Sequence, residues 1–198
     1  MAAQQKSVFN TVLVLGVFVI SLMFFTIFWH SNSSAAPENF TKFAEPRSIP
    51  NFNLITDKDV PFTQDNLKNH WTLLFFGFTH CKDVCPATMA VVSRIYPMLM
   101  LHYPNLQVAF VTVDPDRDTQ AVVGRFVKNF QNDFIGLTGT PENLQSMQKN
   151  LGVSVQGLSH SASIYLFNPR GKWVAMFPLG MRPDELQTAF EKSTVIDI

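Results

Sequence analysis

The stretch Trp71-Thr72-Leu73-Leu74-Phe75-Phe76-Gly77-Phe78-Thr79-His80-Cys81-Lys82-Asp83-Val84-Cys85-Pro86 runs from a continuous apolar segment into a pair of cysteines. No charge interrupts Trp71 to Phe78, and the apolar residues do not alternate with polar ones. That is the pattern of a strand buried on both faces. After it, Met89, Val92, Ile95, Tyr96 and Leu99 recur at helical spacing, and Val108-Ala109-Phe110-Val111-Thr112-Val113 is a second buried strand. The three pieces make a βαβ unit with parallel strands, a right-handed crossover and a helix on one face of the sheet.

Upstream, Phe52 to Phe62 alternates around the turn-prone Thr56-Asp57-Lys58-Asp59 and predicts a hairpin, after which Thr63 caps a short helix toward Asn69. Downstream, Asp118 to Phe130 and Pro141 to Leu151 read as helices, the second with Thr140 as cap and Pro141 at its first position. Phe134 to Leu137 is a short strand. Ser163 to Phe167 and Trp173 to Phe177 flank Asn168-Pro169-Arg170-Gly171, a turn between antiparallel strands, and Asp184 to Glu191 closes the chain as a helix. A parallel βαβ start, an antiparallel finish and a last helix are the order of a thioredoxin-like α/β fold, here with an N-terminal hairpin. It is assigned to residues 51–198.

Val8 to Trp29 contains no charge and has the length of a transmembrane helix, so residues 8–29 are expected to be a single membrane anchor. The alternative is a cleaved signal peptide ending near Ser34-Ala35-Ala36, but the apolar stretch exceeds a signal core and Pro37 follows the obvious cut. Lys6 precedes the span and no basic residue follows before Lys42. By the positive-inside rule, residues 1–7 are cytoplasmic and the domain lies in the periplasm or an equivalent intermembrane space. Residues 30–50, rich in Ser, Ala, Pro and Asn, are expected to be a linker.

The 198 residues suit one domain plus a short extra element, and the 15 basic and 15 acidic residues balance. No basic stripe points to a nucleic-acid partner. The 19 phenylalanines promise a well-filled core.

Outside the cytosol, the only two cysteines, Cys81 and Cys85, are expected in a disulfide or on a metal. They sit where a central strand passes into a helix, the edge where open α/β sheets place ligands. Because proline disfavours helical geometry in the residue before it, Cys85 is expected to cap the helix with Pro86 opening it, and Cys81 to lie in the loop. The helix dipole and Lys82 would then favour a Cys85 thiolate. Three intervening residues let both sulfurs hold one soft ion, or close as a redox-active disulfide between Cys81 and Cys85.

A complete site wants a third ligand, and there are five histidines. His30 belongs to the membrane interface, and His70 and His102 to solvated element ends. His80 adjoins Cys81, but neighbouring side chains diverge, so it reads as a loop or supporting residue. His160, in Gly157-Leu158-Ser159-His160-Ser161, is from spacing alone either a loop histidine or a ligand. Asp114 ends the second central strand, either as a turn residue before Pro115 or as support for the ligands.

Phe76 to Pro86 closely resembles the signature of the Sco/SenC family of copper chaperones. Val113-Asp114-Pro115-Asp116-Arg117-Asp118-Thr119, Gly136-Leu137-Thr138-Gly139-Thr140, His160-Ser161 and Asn168-Pro169-Arg170-Gly171 are similar to further blocks of it. The resemblance implies that Cys81, Cys85 and His160 bind Cu(I) or Cu(II), with Asp114 and His80 in support. It also implies that the protein helps build the binuclear copper centre of cytochrome c oxidase, its partners being the copper-receiving subunit and other copper chaperones. Two positions depart from the family: Lys82 stands where proline is usual, and Ser159 where an aspartate often precedes the histidine.

The alternative function for the same cysteines is that of a thiol–disulfide reductant for an oxidase subunit or another chaperone, which needs no His160. A peroxidase would require one activated cysteine with donors arranged around it, and no such pattern is present.

Overall fold

The computed structural model describes residues 15–26, 40–153, 155–156, 159–160 and 163–195, of which 155–156 and 159–160 are described by their backbone. It divides into an N-terminal unit, Met1–Ala36, and a larger one, Pro37–Ile198. In the first, α1 (Leu15–Thr26) is an apolar helix whose Phe18, Ile20, Met23 and Phe24 are all exposed. Residues 1–7, and the parts of the expected anchor and linker at 8–14 and 27–39, lie outside the described residues.

The second unit is built on an eight-stranded mixed sheet. Its strands are β1 (Thr41–Arg47), β2 (Asn53–Thr56), β3 (Pro61–Thr63), β4 (Trp71–Gly77), β5 (Leu106–Thr112), β6 (Ile135–Thr138), β9 (Ser163–Phe167) and β10 (Trp173–Pro178). They lie in the order β1-β10-β9-β4-β5-β6-β2-β3, and a separate two-stranded ribbon joins β7 (Val155–Gln156) to β8 (Ser159–His160). The helices are α2 (Val84–His102), α3 (Gln120–Lys128), α4 (Pro141–Asn150) and α5 (Pro183–Thr194).

β4 is central, parallel to β5 on one side and antiparallel to β9 on the other, as its unbroken apolar run requires. Its side chains alternate between two cores. Leu73 and Phe75 pack with Met89, Val92, Ile95 and Leu99 of α2 and with Phe190 of α5. Leu74 and Phe76 pack on the other face with Phe52, Phe62, Leu144 and Met147. Truncating a ring such as Phe75 to alanine costs about 3–5 kcal/mol, because neither face can collapse into the gap.

The expected hairpin is β2–β3, turned at Thr56 to Asp59 with Asp59 at φ 61°. Thr63 caps a 3-10 turn, Gln64–Leu67, through a reciprocal bond with Asn66. The closing turn places Gly171 at φ 71°, a conformation that costs glycine nothing. Among the described residues only α2 is long and apolar enough to cross a membrane, but Cys85, Met89, Val92, Ile95 and Leu99 bury it in the domain core. Pro97 inside α2 cannot donate to Ser93, whose carbonyl instead faces Gln131 Nε2 at 3.5 Å.

The linker expected over residues 30–50 ends too late. Residues 41–47 form β1, which pairs antiparallel with β10 at the sheet edge. Phe43 meets Trp173 edge to face at 4.6 Å, and the Arg47 guanidinium lies 3.8 Å from the Phe43 ring centre. A mostly exposed edge strand carries weak periodicity, so its polar composition reads as a tether.

Candidate metal centre

Three connections emerge at one end of β4. Gly77 pairs with Thr112, so the loops leaving β4 and β5 lie side by side. β9 runs the other way, with Ile164 opposite Phe75, so the chain entering β9 comes from the same edge. His160 on β8 precedes that strand by three residues and its backbone pairs with Val155; its side chain lies outside the described residues. Cys81, Cys85, Asp114 and Ser163, the first residue of β9, therefore lie at one edge, with His160 three residues before Ser163 in the chain. His70 and His102 lie at the other, where Trp71 pairs with Leu106 and His70 Nδ1 is 3.2 Å from the Asn105 carbonyl.

The helix after the cysteine loop begins earlier than its proline predicts. Asp83 is the N-cap and makes no side-chain capping bond, and Cys85 and Pro86 both lie in the first turn. Pro86 is tolerated because first-turn N–H groups have no intrahelical partner anyway. The capping acceptor is the sulfur of Cys81, which receives the Cys85 N–H at 3.3 Å. Cys85 is thus not the cap.

The two thiols consequently differ in the opposite sense to the expectation. Cys85 is fully buried. Burial pushes its thiol up to about 12, the neighbouring Cys81 and Asp118 push the same way, and only a backbone bond at Phe78 opposes them. Cys81 is half-buried, and the desolvation that would raise its pKa is outweighed by the N–H groups of Cys85 and Asp83, the Cys85 thiol and the Val84 N–H. It is the stabilised thiolate of the pair. Gly77 makes room for this: a Cβ there would lie 2.8 Å from Phe110 Cε2 and 3.0 Å from Cys85 Sγ.

Asp118, expected as the start of a helix, is a wholly buried carboxylate beneath the loop. Oδ2 accepts the Thr79 N–H at 2.9 Å and the Thr112 hydroxyl at 2.7 Å, and Oδ1 accepts the Thr79 hydroxyl at 2.5 Å. His80 Nδ1 lies 3.4 Å from Oδ1, while the His80 side chain is 54% exposed. His80 Nδ1 thus lies beside the carboxylate that binds Thr79. Asp114, read from the sequence as either a turn residue or support for the ligands, pairs with Arg117, whose Nε is 2.6 Å from Oδ2. Its backbone N–H caps Thr112 Oγ1 at 3.0 Å, and its carbonyl accepts the Asp118 N–H at 2.9 Å. The available signal for Asp118 was its spacing, four residues after Asp114 at the end of β5.

A mixed α/β sheet with two thiols where its central strand enters a helix, one half-buried and one buried, defines a thioredoxin-like domain of the cysteine-pair class. Residues 41–194 match the SCO1/SenC family, and the chain belongs to it. It is 34% identical over 146 residues to the SCO2-like protein of Rickettsia felis, over 68% of this chain and 71% of that one. It superimposes on Arabidopsis thaliana ScoI with copper bound at TM-score 0.69 and 32% identity, covering 73% of this chain and 96% of the other. For yeast Sco1 with copper bound the TM-score is 0.70 at 25% identity, covering 77% and 91%.

Proposed function

We propose that this protein is a membrane-anchored copper chaperone that carries Cu(I) or Cu(II) on Cys81, Cys85 and His160 and serves assembly of the binuclear copper centre of cytochrome c oxidase. The observation that carries the proposal is that the Cys81–Cys85 loop and the start of β9, three residues after His160, lie at one edge of a SCO1/SenC-family sheet. The donor chemistry fits the cargo. Two thiolates suit soft Cu(I), and an imidazole extends the set to Cu(II). Solved relatives from Arabidopsis and yeast hold copper, which supports the same cargo here. Two bonds from Thr79 tie the ligand loop to Asp118, a third from Thr112 ties that carboxylate to β5, and the Asp114 carbonyl accepts the Asp118 N–H. In this reading α1 belongs to a single inner-membrane anchor over residues 8–29, with residues 1–7 cytoplasmic and the domain periplasmic or in the intermembrane space. The copper-receiving oxidase subunit and other copper chaperones are its partners.

Titration of the reduced full chain in detergent with Cu(I) tests the proposal. One copper per chain is expected, lost on Cys81→Ser and on Cys85→Ser; uptake unaffected by either substitution removes the thiol site.

A second reading has its own support in the unequal thiols. A half-buried Cys81 whose thiol pKa is lowered and a buried Cys85 whose thiol pKa is raised suit attack on a partner's disulfide by Cys81 and resolution by Cys85. Attack forms a Cys81–partner disulfide and frees one partner thiol; Cys85 then displaces the other, leaving the partner reduced and Cys81–Cys85 oxidised. Failure of the reduced chain to open a dithiol partner's disulfide excludes it.

A further inference from the structure

The helix that follows the cysteine loop is apolar on both its sides. The inner side of α2 buries Cys85, Met89, Val92, Ile95 and Leu99 in the domain core. The outer side carries Val84, Ala87, Val91, Arg94, Met98 and Leu101, alternately three and four residues apart, the interval that keeps residues on one seam along a helix. Val91 is half-buried and the other five are exposed, Met98 by 53% and Leu101 by 80%. A helix that is apolar all round belongs under cover on every side, and in the single chain this seam faces solvent. It begins at Val84, between the two cysteines, and runs about 25 Å to Leu101. Beside its first half lies a groove of about 510 Å³ lined by Val84, Ala87, Val91, Leu179, Met181 and Leu186. Arg94, in the middle of the seam, is the one lysine or arginine of α2, which has no aspartate or glutamate. Among the described residues Arg94 makes no ion pair.

We propose that the α2 seam from Val84 to Leu101 is the docking surface for the protein that takes copper from Cys81, and that this partner lays an apolar strip along it with a carboxylate opposite Arg94. The proposal rests on the copper reading above and adds the surface on which transfer takes place. Copper keeps its oxidation state, and its bonds to the chaperone sulfurs break as bonds to the receiver's ligands form. The receiver must therefore reach Cys81, three residues before Val84, and rest on the surface where the seam starts. Charge argues against a second copy as the cover. Antiparallel packing about the midpoint sets Val84 against Leu101 and Arg94 against Val91, which leaves the two Arg94 side chains about one helical turn apart; parallel packing sets them opposite each other. Neither supplies an acid. A helix that lies on lipid carries several cations along its polar side, and α2 has one arginine. A partner carboxylate satisfies Arg94, while apolar side chains fill the groove and cover Met98 and Leu101.

The test is transfer of Cu(I) from the loaded full chain in nanodiscs to the purified copper-receiving domain of cytochrome c oxidase, at increasing concentrations of that domain. Native protein is compared with Leu101→Glu, with Arg94→Glu, and with Val60→Glu, which places the same charge on an exposed apolar residue between β2 and β3. The half-saturating concentration is expected to rise roughly tenfold in each seam variant, with limiting rate, bound copper and melting temperature unchanged, and to stay native in Val60→Glu. Native half-saturation in either seam variant overturns the proposal, as does an equal rise in Val60→Glu or a fall confined to the limiting rate. Two further measurements assign other covers. A full chain that sediments as a dimer in detergent, and as a monomer in Leu101→Glu, gives the seam to a second copy. Fluorescence of Leu101→Trp quenched by brominated lipid beyond the native level gives it to the membrane. Either result overturns the proposal. Absence of copper uptake by the native chain sinks the copper reading itself, and uptake without transfer to the domain overturns this receiver, whereas native uptake and transfer with unaltered seam variants sinks the docking surface alone.

Discussion

The backbone N–H of Cys85 points at the sulfur of Cys81 across 3.3 Å, so one cysteine caps the helix that buries the other. The sulfur takes the place of the side-chain oxygen that usually caps a helix, and the helix N-terminus stabilises it as a thiolate. Cys85, in the first turn, packs in the apolar core of β4 and α2, where burial favours its protonated form. Two residues of one motif thus meet opposite electrostatics.

Alkylation should therefore be unequal. In the reduced chain, a pulse of iodoacetamide between pH 6 and 9 is expected to label Cys81 while the fold stays intact and to label Cys85 only after unfolding. Peptide mass spectrometry reads the two sites separately. Equal labelling in the folded chain would contradict the burial of Cys85.

The raised Cys85 thiol also shapes alkaline stability. Its ordinary pKa is 9.0, and in the fold it rises to about 12. A group whose folded pKa is raised contributes fully below its unfolded value and loses that contribution as pH climbs toward the folded one. Stability should fall between about pH 9 and 12, and the fall should be shallower in Cys85→Ala. Identical slopes in chemical denaturation across that range would exclude Cys85 as the cause.

Gly77→Ala places a methyl group where Phe110 and the Cys85 sulfur already stand, at 2.8 and 3.0 Å. Overpacking of this kind costs about 1–3 kcal/mol. Copper uptake should weaken together with stability, because relief of the clash moves Cys85. Denaturant midpoint and copper titration on one sample check both.

Asp118→Ala leaves the Thr79 N–H and the hydroxyls of Thr79 and Thr112 without their acceptor. The cost should be about 3 kcal/mol in urea unfolding. Asp114→Asn loosens only the bond to Arg117, whose side chain is 61% exposed, and should cost below about 1 kcal/mol. Comparable losses for the two variants would mean that Asp118 does not hold the loop.

The strand at Thr41–Arg47 can be tested by where the domain is cut. A version of the domain beginning at Asn51 loses Phe43 and uncovers Trp173, at a cost of about 2 kcal/mol or more relative to one beginning at Pro37. Its melting temperature should be roughly 4–8 °C lower.

Much of this architecture is legible in the chain because burial writes itself as periodicity. The run from Trp71 to Phe78 has no wet face, and the register of β4 between β5 and β9 agrees. The β2–β3 hairpin, the Thr63 and Thr140 caps and the Gly171 turn follow from local chemistry that tertiary contacts do not override. β1 was illegible because it is an edge strand, mostly exposed, held by two aromatic rings distant in sequence. Asp118 was hidden for another reason: an aspartate before Thr119 and a helix looks like a solvated helix start, and only the fold shows that Thr79 and Thr112 enclose it. The same holds for the cysteines. The residue preference before Pro86 placed Cys85 as the cap, whereas the sulfur of Cys81 fills that position and draws the helix start back to Asp83. Of His160, family resemblance carries the ligand role, and the fold contributes the sheet edge from which its strand departs.

The three-ligand site is tested most directly by comparing Cu(II) binding in the native full chain and in His160→Ala, followed by the thiolate-to-copper absorption. One Cu(II) per chain with strong absorption is predicted for the native protein, and His160→Ala should bind at least about tenfold more weakly, with a shifted spectrum. Unchanged affinity and spectrum in His160→Ala would contradict a site made by Cys81, Cys85 and His160.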